Sequence, residues 1–131
     1  MGGPALQAPT ILVVEDEWLV RDMIARELED AGYEVFEAET GEAALALMRE
    51  NRPVDLLFTD IRLPGPVDGW RLAEEIRSLH PDLPVIYATG YTVAEPRQVP
   101  GSVFLHKPYR PSAVIQAALK LGVPPKGEAP P

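Results

Sequence analysis

The chain has 131 residues, 46% hydrophobic and 24% charged, the composition of one globular domain rather than of a disordered segment. Its formal charge of −8, with no run of Lys or Arg, excludes the clustered basic face that nucleic acid or an anionic membrane rewards. There is no cysteine, which excludes disulfide frameworks and thiolate metal sites and fits a reducing cytoplasm.

The first nine residues, MGGPALQAP, lack the basic and apolar regions of a signal peptide, and no apolar run reaches membrane-spanning length. Residues 1–9 read as a flexible extension and 122–131 as a Pro-rich tail, around a domain at 10–121. Within it, Ile11-Leu12-Val13-Val14 is a short β-branched run of the kind buried in parallel sheets. Leu19, Val20, Met23, Ile24 and Leu28 then recur at helical spacing, closed by Gly32 at the C-terminal cap. Tyr33 to Ala38 alternates as a strand, and Thr40 caps a helix through Met48 that Pro53 stops. Val54 to Thr59 is the third strand, and the loop Leu63 to Gly69 leads to a helix carrying Trp70, Leu72, Ala73, Ile76 and Leu79. Leu83 to Ala88 and Val103 to His106 complete the strands, and Pro111 to Leu121 forms the last helix.

Strands separated by helices require parallel pairing and right-handed crossovers, so a parallel sheet between two helix layers is expected. Sites in such sheets form beyond the carboxyl ends of the strands. The residues there are Glu15-Asp16, Asp60, Thr89-Gly90 and Lys107-Pro108. An acid at one strand end is also what the first turn of a helix favours. Five chemically matched positions on successive strand ends are not explained that way. Three carboxylates held together need a cation, because like charges a few ångströms apart cost several kcal/mol. Oxygen ligands without His or Cys select a hard ion, Mg²⁺ or Mn²⁺, with positions open to phosphate oxygens.

The strings VVEDE, LLFTDIRLPG, VIYATGY and FLHKPY resemble the four signature segments of response-regulator receiver domains, over residues 10–121. That resemblance implies an α/β, flavodoxin-like (βα)₅ fold with a five-stranded parallel sheet. It implies that Asp60 accepts a phosphoryl group and that Asp16, Glu15, Asp60 and the Arg62 backbone carbonyl hold the metal. It also implies that Lys107 pairs with Asp60 and the phosphate and that Thr89 binds the attached phosphoryl group. Pro108 fits a cis peptide after Lys107. The implied protein is a cytoplasmic single-domain regulator of a two-component phosphorelay. It phosphorylates and slowly dephosphorylates itself rather than turning over as a conventional enzyme. It signals by docking, as a monomer or weak dimer, to a sensor histidine kinase or phosphotransfer protein and a downstream protein target.

Two features depart from the common pattern. The stretch from Thr89 to Lys107 holds Pro96 and Pro100, leaving about two turns at Thr92–Gln98 for a short or irregular fourth helix. TGY at Thr89–Tyr91 and DGW at Asp68–Trp70 resemble the FATGUY subgroup of receivers, whose partners are kinases of the HWE or HisKA2 class. Phe104 and Tyr91 are the candidate switch aromatics beside Thr89. His80, before Pro81, reads as a helix C-cap, and His106 as an ordinary strand-end residue. One rival is a degenerate receiver acting as a phosphorylation-independent binding module. Another, a haloacid-dehalogenase-type hydrolase, needs an acid where Arg62 stands.

Overall fold

A computed structural model describes residues 7–50, 52–90 and 96–127. Five parallel strands, β1 (Thr10–Val14), β2 (Glu34–Ala38), β3 (Leu56–Asp60), β4 (Val85–Thr89) and β5 (Val103–His106), form one sheet in the order β2-β1-β3-β4-β5. Among the described residues four helices accompany them: α1 (Trp18–Ala31), α2 (Gly41–Arg49), α3 (Gly69–Leu79) and α4 (Pro111–Lys120). This is the flavodoxin-like architecture expected from the alternation of runs.

Alternation along each strand divides the core in two. Leu12, Val14, Leu57, Val85 and Tyr87 face α2 and α3, whereas Ile11, Val13, Leu56, Phe58 and Ile86 face α1 and α4. Because β1, β3 and β4 are covered on both faces, every one of their residues is buried, which is why they read as unbroken apolar runs. α1 stops at Gly32, whose φ of 112° lies in the left-handed region and lets its N–H reach the Leu28 and Glu29 carbonyls. α2 begins on Thr40, which accepts the Ala43 N–H as expected.

Two expectations change. Pro96–Gln98 is not helical, while Thr92–Glu95, the rest of the expected fourth helix, lies outside the described residues, as does Tyr91. With no helix among the described residues between β4 and β5, the segment from Pro96 is tied down by side chains instead. Val99 N–H donates to the Tyr87 hydroxyl, Arg97 pairs with Glu74, and Arg77 donates to the Pro100 and Leu83 carbonyls. At the other end, the start of the tail packs onto the domain rather than leaving it at 122. Val123 and Pro125 are buried, the Tyr33 hydroxyl donates to the Val123 carbonyl, and Lys126 N–H reaches the Gly32 carbonyl. Tyr33 accordingly sits just before β2, anchoring the chain that follows α4.

Candidate phosphoacceptor pocket

The chain runs from β1 outward to β2 and then returns to place β3 on the other side of β1. The order of strands therefore reverses between β1 and β3, and a crevice opens beyond their carboxyl ends. Glu15 and Asp16 follow β1, Asp60 ends β3, Thr89 ends β4 and Lys107 follows β5, so the topology brings the expected residues to one edge. Glu15 is 2% exposed, Asp60 6% and Thr89 5%, while Asp16 opens to solvent.

Carboxylate oxygens of Glu15, Asp16 and Asp60 lie within 4.8 Å of one another. The Lys107 ammonium sits 3.0 Å from each Asp60 carboxylate oxygen and 3.6 Å from Glu15 Oε1. The Lys107–Pro108 peptide is cis, and Lys107 N–H donates to the Thr89 carbonyl, joining the ends of β4 and β5. Burial, reinforced by the neighbouring Asp60 charge, pushes the Glu15 carboxyl up to about 7, against the opposing pull of the Glu17 N–H and Lys107. Burial works against the charge of Lys107, but its hydrogen bond and charge contacts with Asp60 and Glu15 prevail and raise its pKa. One ammonium thus faces more negative charge than it can neutralise. An oxygen-only, partly open cluster of this kind fits Mg²⁺ or Mn²⁺, and Glu15, Asp16 and Asp60 are the side chains that would hold it.

Arg62 lies in the exposed loop two residues beyond Asp60. Phe104 is half-buried, packed 5.3 Å from the Tyr87 ring and 5.7 Å from that of Trp70. His80 takes the C-cap position of α3, and His106 is exposed at the end of β5.

Three neighbours of the pocket were given no role at the site by the sequence reading. Gly69 opens α3 directly behind Asp60, where a Cβ would collide with the Asp60 carbonyl and the Ile61 Cα. The Asp68-Gly69 pair was a visible turn signal, and Asp68 does cap α3 by accepting the Arg71 N–H. Tyr109, edge-on to Phe58, buries a hydroxyl with no hydrogen-bond partner among the described residues, and burial with the charges of Asp60 and Glu15 raises its pKa. Arg21 reaches back from α1 to the Glu15 carbonyl. Neither residue carries a local sequence signal.

The model of the response regulator receiver domain matches residues 11–119. The sensor kinase CckA of Brucella abortus is 40% identical over 105 residues, covering 76% of this chain and 11% of that protein. The phosphate regulon transcriptional regulatory protein PhoB of Pseudomonas aeruginosa is 35% identical over 130 residues, covering 92% of this chain and 56% of that one. The chain thus spans a minor part of the first relative and little more than half of the second. Among solved structures, a response regulator receiver protein from Sinorhizobium medicae superposes with a TM-score of 0.84 at 33% identity, over 88% of this chain and 95% of that one.

Proposed function

Because the chain belongs to the response-regulator receiver family, the phosphoacceptor domains of two-component systems, we propose that Asp60 takes a phosphoryl group from a phosphohistidine on a sensor kinase or phosphotransfer protein. The observation that carries this reading is the Lys107 ammonium at 3.0 Å from both Asp60 oxygens, inside a cluster that also holds Glu15 and Asp16.

An Asp60 carboxylate oxygen attacks the phosphorus in line with the departing imidazole nitrogen. The phosphorus–oxygen bond forms as the phosphorus–nitrogen bond breaks, and the imidazole leaves with a proton from solvent. Lys107 offsets negative charge spread over the transferring oxygens, and the Thr89 hydroxyl donates to the attached phosphoryl group. Mg²⁺ or Mn²⁺, when bound, supplies the remaining positive charge, with Glu15, Asp16, Asp60 and the Arg62 carbonyl as its protein ligands. Hydrolysis of the acyl phosphate returns Asp60 and inorganic phosphate. Phosphorylation adds negative charge and strong acceptors to a buried site, so Thr89 is drawn toward it. Phe104 and Tyr91 are the aromatics proposed to follow.

Signalling proceeds by docking. Trp18 and Leu19 are 62% and 67% exposed on α1, and a mostly apolar hollow of about 440 Å³ is lined by Glu17, Val20, Met23, Gly90, Lys107, Pro108 and Tyr109. A protein partner seated there reaches Asp60 while covering apolar surface that water disfavours. The TGY and DGW segments support a kinase of the HWE or HisKA2 class as that partner.

Incubation with Mg²⁺ and phosphoramidate, followed by intact-mass measurement, tests the chemistry. A gain of one phosphoryl group that is lost in Asp60→Asn is expected. No gain in the wild type, or an equal gain in the variant, refutes the proposal and favours a phosphorylation-independent binding module.

A further inference from the structure

Three residues, Glu15 to Glu17, connect the end of β1 at Val14 to the start of α1 at Trp18. Glu17 occupies the N-cap position of α1 without making a side-chain cap, so the helix end itself gives this connector little purchase. The connector must nevertheless keep two acids close to a third, against their mutual repulsion. What holds it is visible in four contacts. Glu15 N–H donates to the Ala38 carbonyl at 3.1 Å, and Glu17 N–H donates to Glu15 Oε2 at 3.0 Å. Arg21, on the first turns of α1, donates from Nη1 to the Glu15 carbonyl at 2.7 Å and from Nε to Glu37 Oε1 on β2 at 3.1 Å.

The Glu15 carbonyl belongs to the peptide that joins Glu15 to Asp16. That unit is planar, so a donor on its oxygen orients both flanking Cα atoms together. Arg21 thereby sets the directions from which both side chains leave the chain. A guanidinium suits the task because its rigid fork grips two acceptors at once, which an ammonium does not. Its charge alone would repel a cation, and Glu37 offsets that charge. Only 17% of the Arg21 side chain is exposed, so the contact is sheltered from water.

We propose that Arg21 is a positioning residue for the Glu15–Asp16 pair, holding it in the arrangement that receives the divalent cation; this rests on the phosphoacceptor reading above. Charge and position predict opposite outcomes for its removal. By charge alone, deleting a cation beside an acidic cluster tightens Mg²⁺ binding. If Arg21 positions the ligands, deletion weakens binding, by about 10-fold to 100-fold, the usual consequence of losing a group that orients a metal ligand.

The test is calorimetric titration of the 131-residue chain with MgCl₂, with Trp18 fluorescence as a second readout. Arg21→Met is expected to raise the Kd about tenfold or more while the circular dichroism spectrum stays that of the wild type. Arg21→Lys keeps the charge and the stem but not the fork, and serves if the Met variant does not fold; its Kd falls between the two. Glu37→Gln, which spares the carbonyl contact, shifts the Kd much less than Arg21→Met. A folded Arg21→Met or Arg21→Lys protein with Kd unchanged or lower overturns the proposal, as does an equal loss in Glu37→Gln. A wild type that binds no Mg²⁺ counts instead against the phosphoacceptor reading.

Discussion

The Tyr87 hydroxyl accepts the Val99 N–H at 3.1 Å, tying the middle of β4 to the segment that leads into β5. Both residues are buried, so neither group has water as an alternative partner. Burial raises the Tyr87 pKa, which keeps the ring neutral. Tyr87→Phe leaves the Val99 N–H unsatisfied and is expected to cost about 1–3 kcal/mol of stability. Urea unfolding measures this, and an unchanged midpoint would show that the bond does not anchor the segment.

Gly69 has no room for a side chain, since a Cβ would meet the Asp60 carbonyl and the Ile61 Cα. Gly69→Ala forces α3 away from β3, with an expected loss of about 1–3 kcal/mol, the usual range for overpacking. Because the displaced atoms belong to Asp60, phosphorylation by phosphoramidate should slow in the same variant. A protein as stable and as reactive as the wild type would contradict the close fit.

In the proposed chemistry Lys107 contributes charge, not ligation. Lys107→Met should slow phosphorylation by about 100-fold, the scale seen when one stabilising donor is removed from a site of developing charge. Mg²⁺ affinity should not weaken, because the ammonium competes with a cation for Asp60 and Glu15. Stopped-flow rates paired with Mg²⁺ titrations separate the two effects, and a parallel collapse of both would sink this division of roles.

Glu15 supplies a pH dependence whose sign is fixed. Its carboxyl moves from an ordinary 4.5 up to about 7, so the folded state prefers it protonated. The stability tied to that preference is present below 4.5 and is lost as pH rises through about 7. Metal binding needs the ionised form, so Mg²⁺ should bind more tightly as pH rises through the same window. Melting curves with and without Mg²⁺ should therefore diverge as pH increases from about 5.5 to 8, and Glu15→Gln should flatten the divergence. Curves that stay equally spaced across that range would rule out Glu15 as the titrating ligand.

Much of the pocket was legible in the chain because its signals are local. The runs expected as strands, Ile11–Val14, Val54–Thr59 and Leu83–Ala88, are short and largely apolar, and each is followed directly by a residue of the pocket. Topology then does the rest, since parallel strands deliver Glu15, Asp16, Asp60, Thr89 and Lys107 to one edge. The expected helix at Thr92–Gln98 was only partly legible: prolines forecast its weakness, but not that Pro96–Gln98 would be non-helical. The tail was misjudged for a related reason. Proline content says that a segment is not helical, and says nothing about whether Val123 and Pro125 find a surface to cover.

The sequence by itself determined the order of strands and helices along the chain and which acids, hydroxyl and ammonium stand at the strand ends, because periodicity and strand-end position are properties of neighbouring residues. Only the tertiary structure decided which distant groups support them. The Tyr87 hydroxyl meets Val99, Gly69 yields space to Asp60, Tyr33 holds Val123, and Arg21 grips the Glu15 carbonyl while pairing with Glu37. Each of those contacts depends on where two elements cross, and no local pattern encodes a crossing.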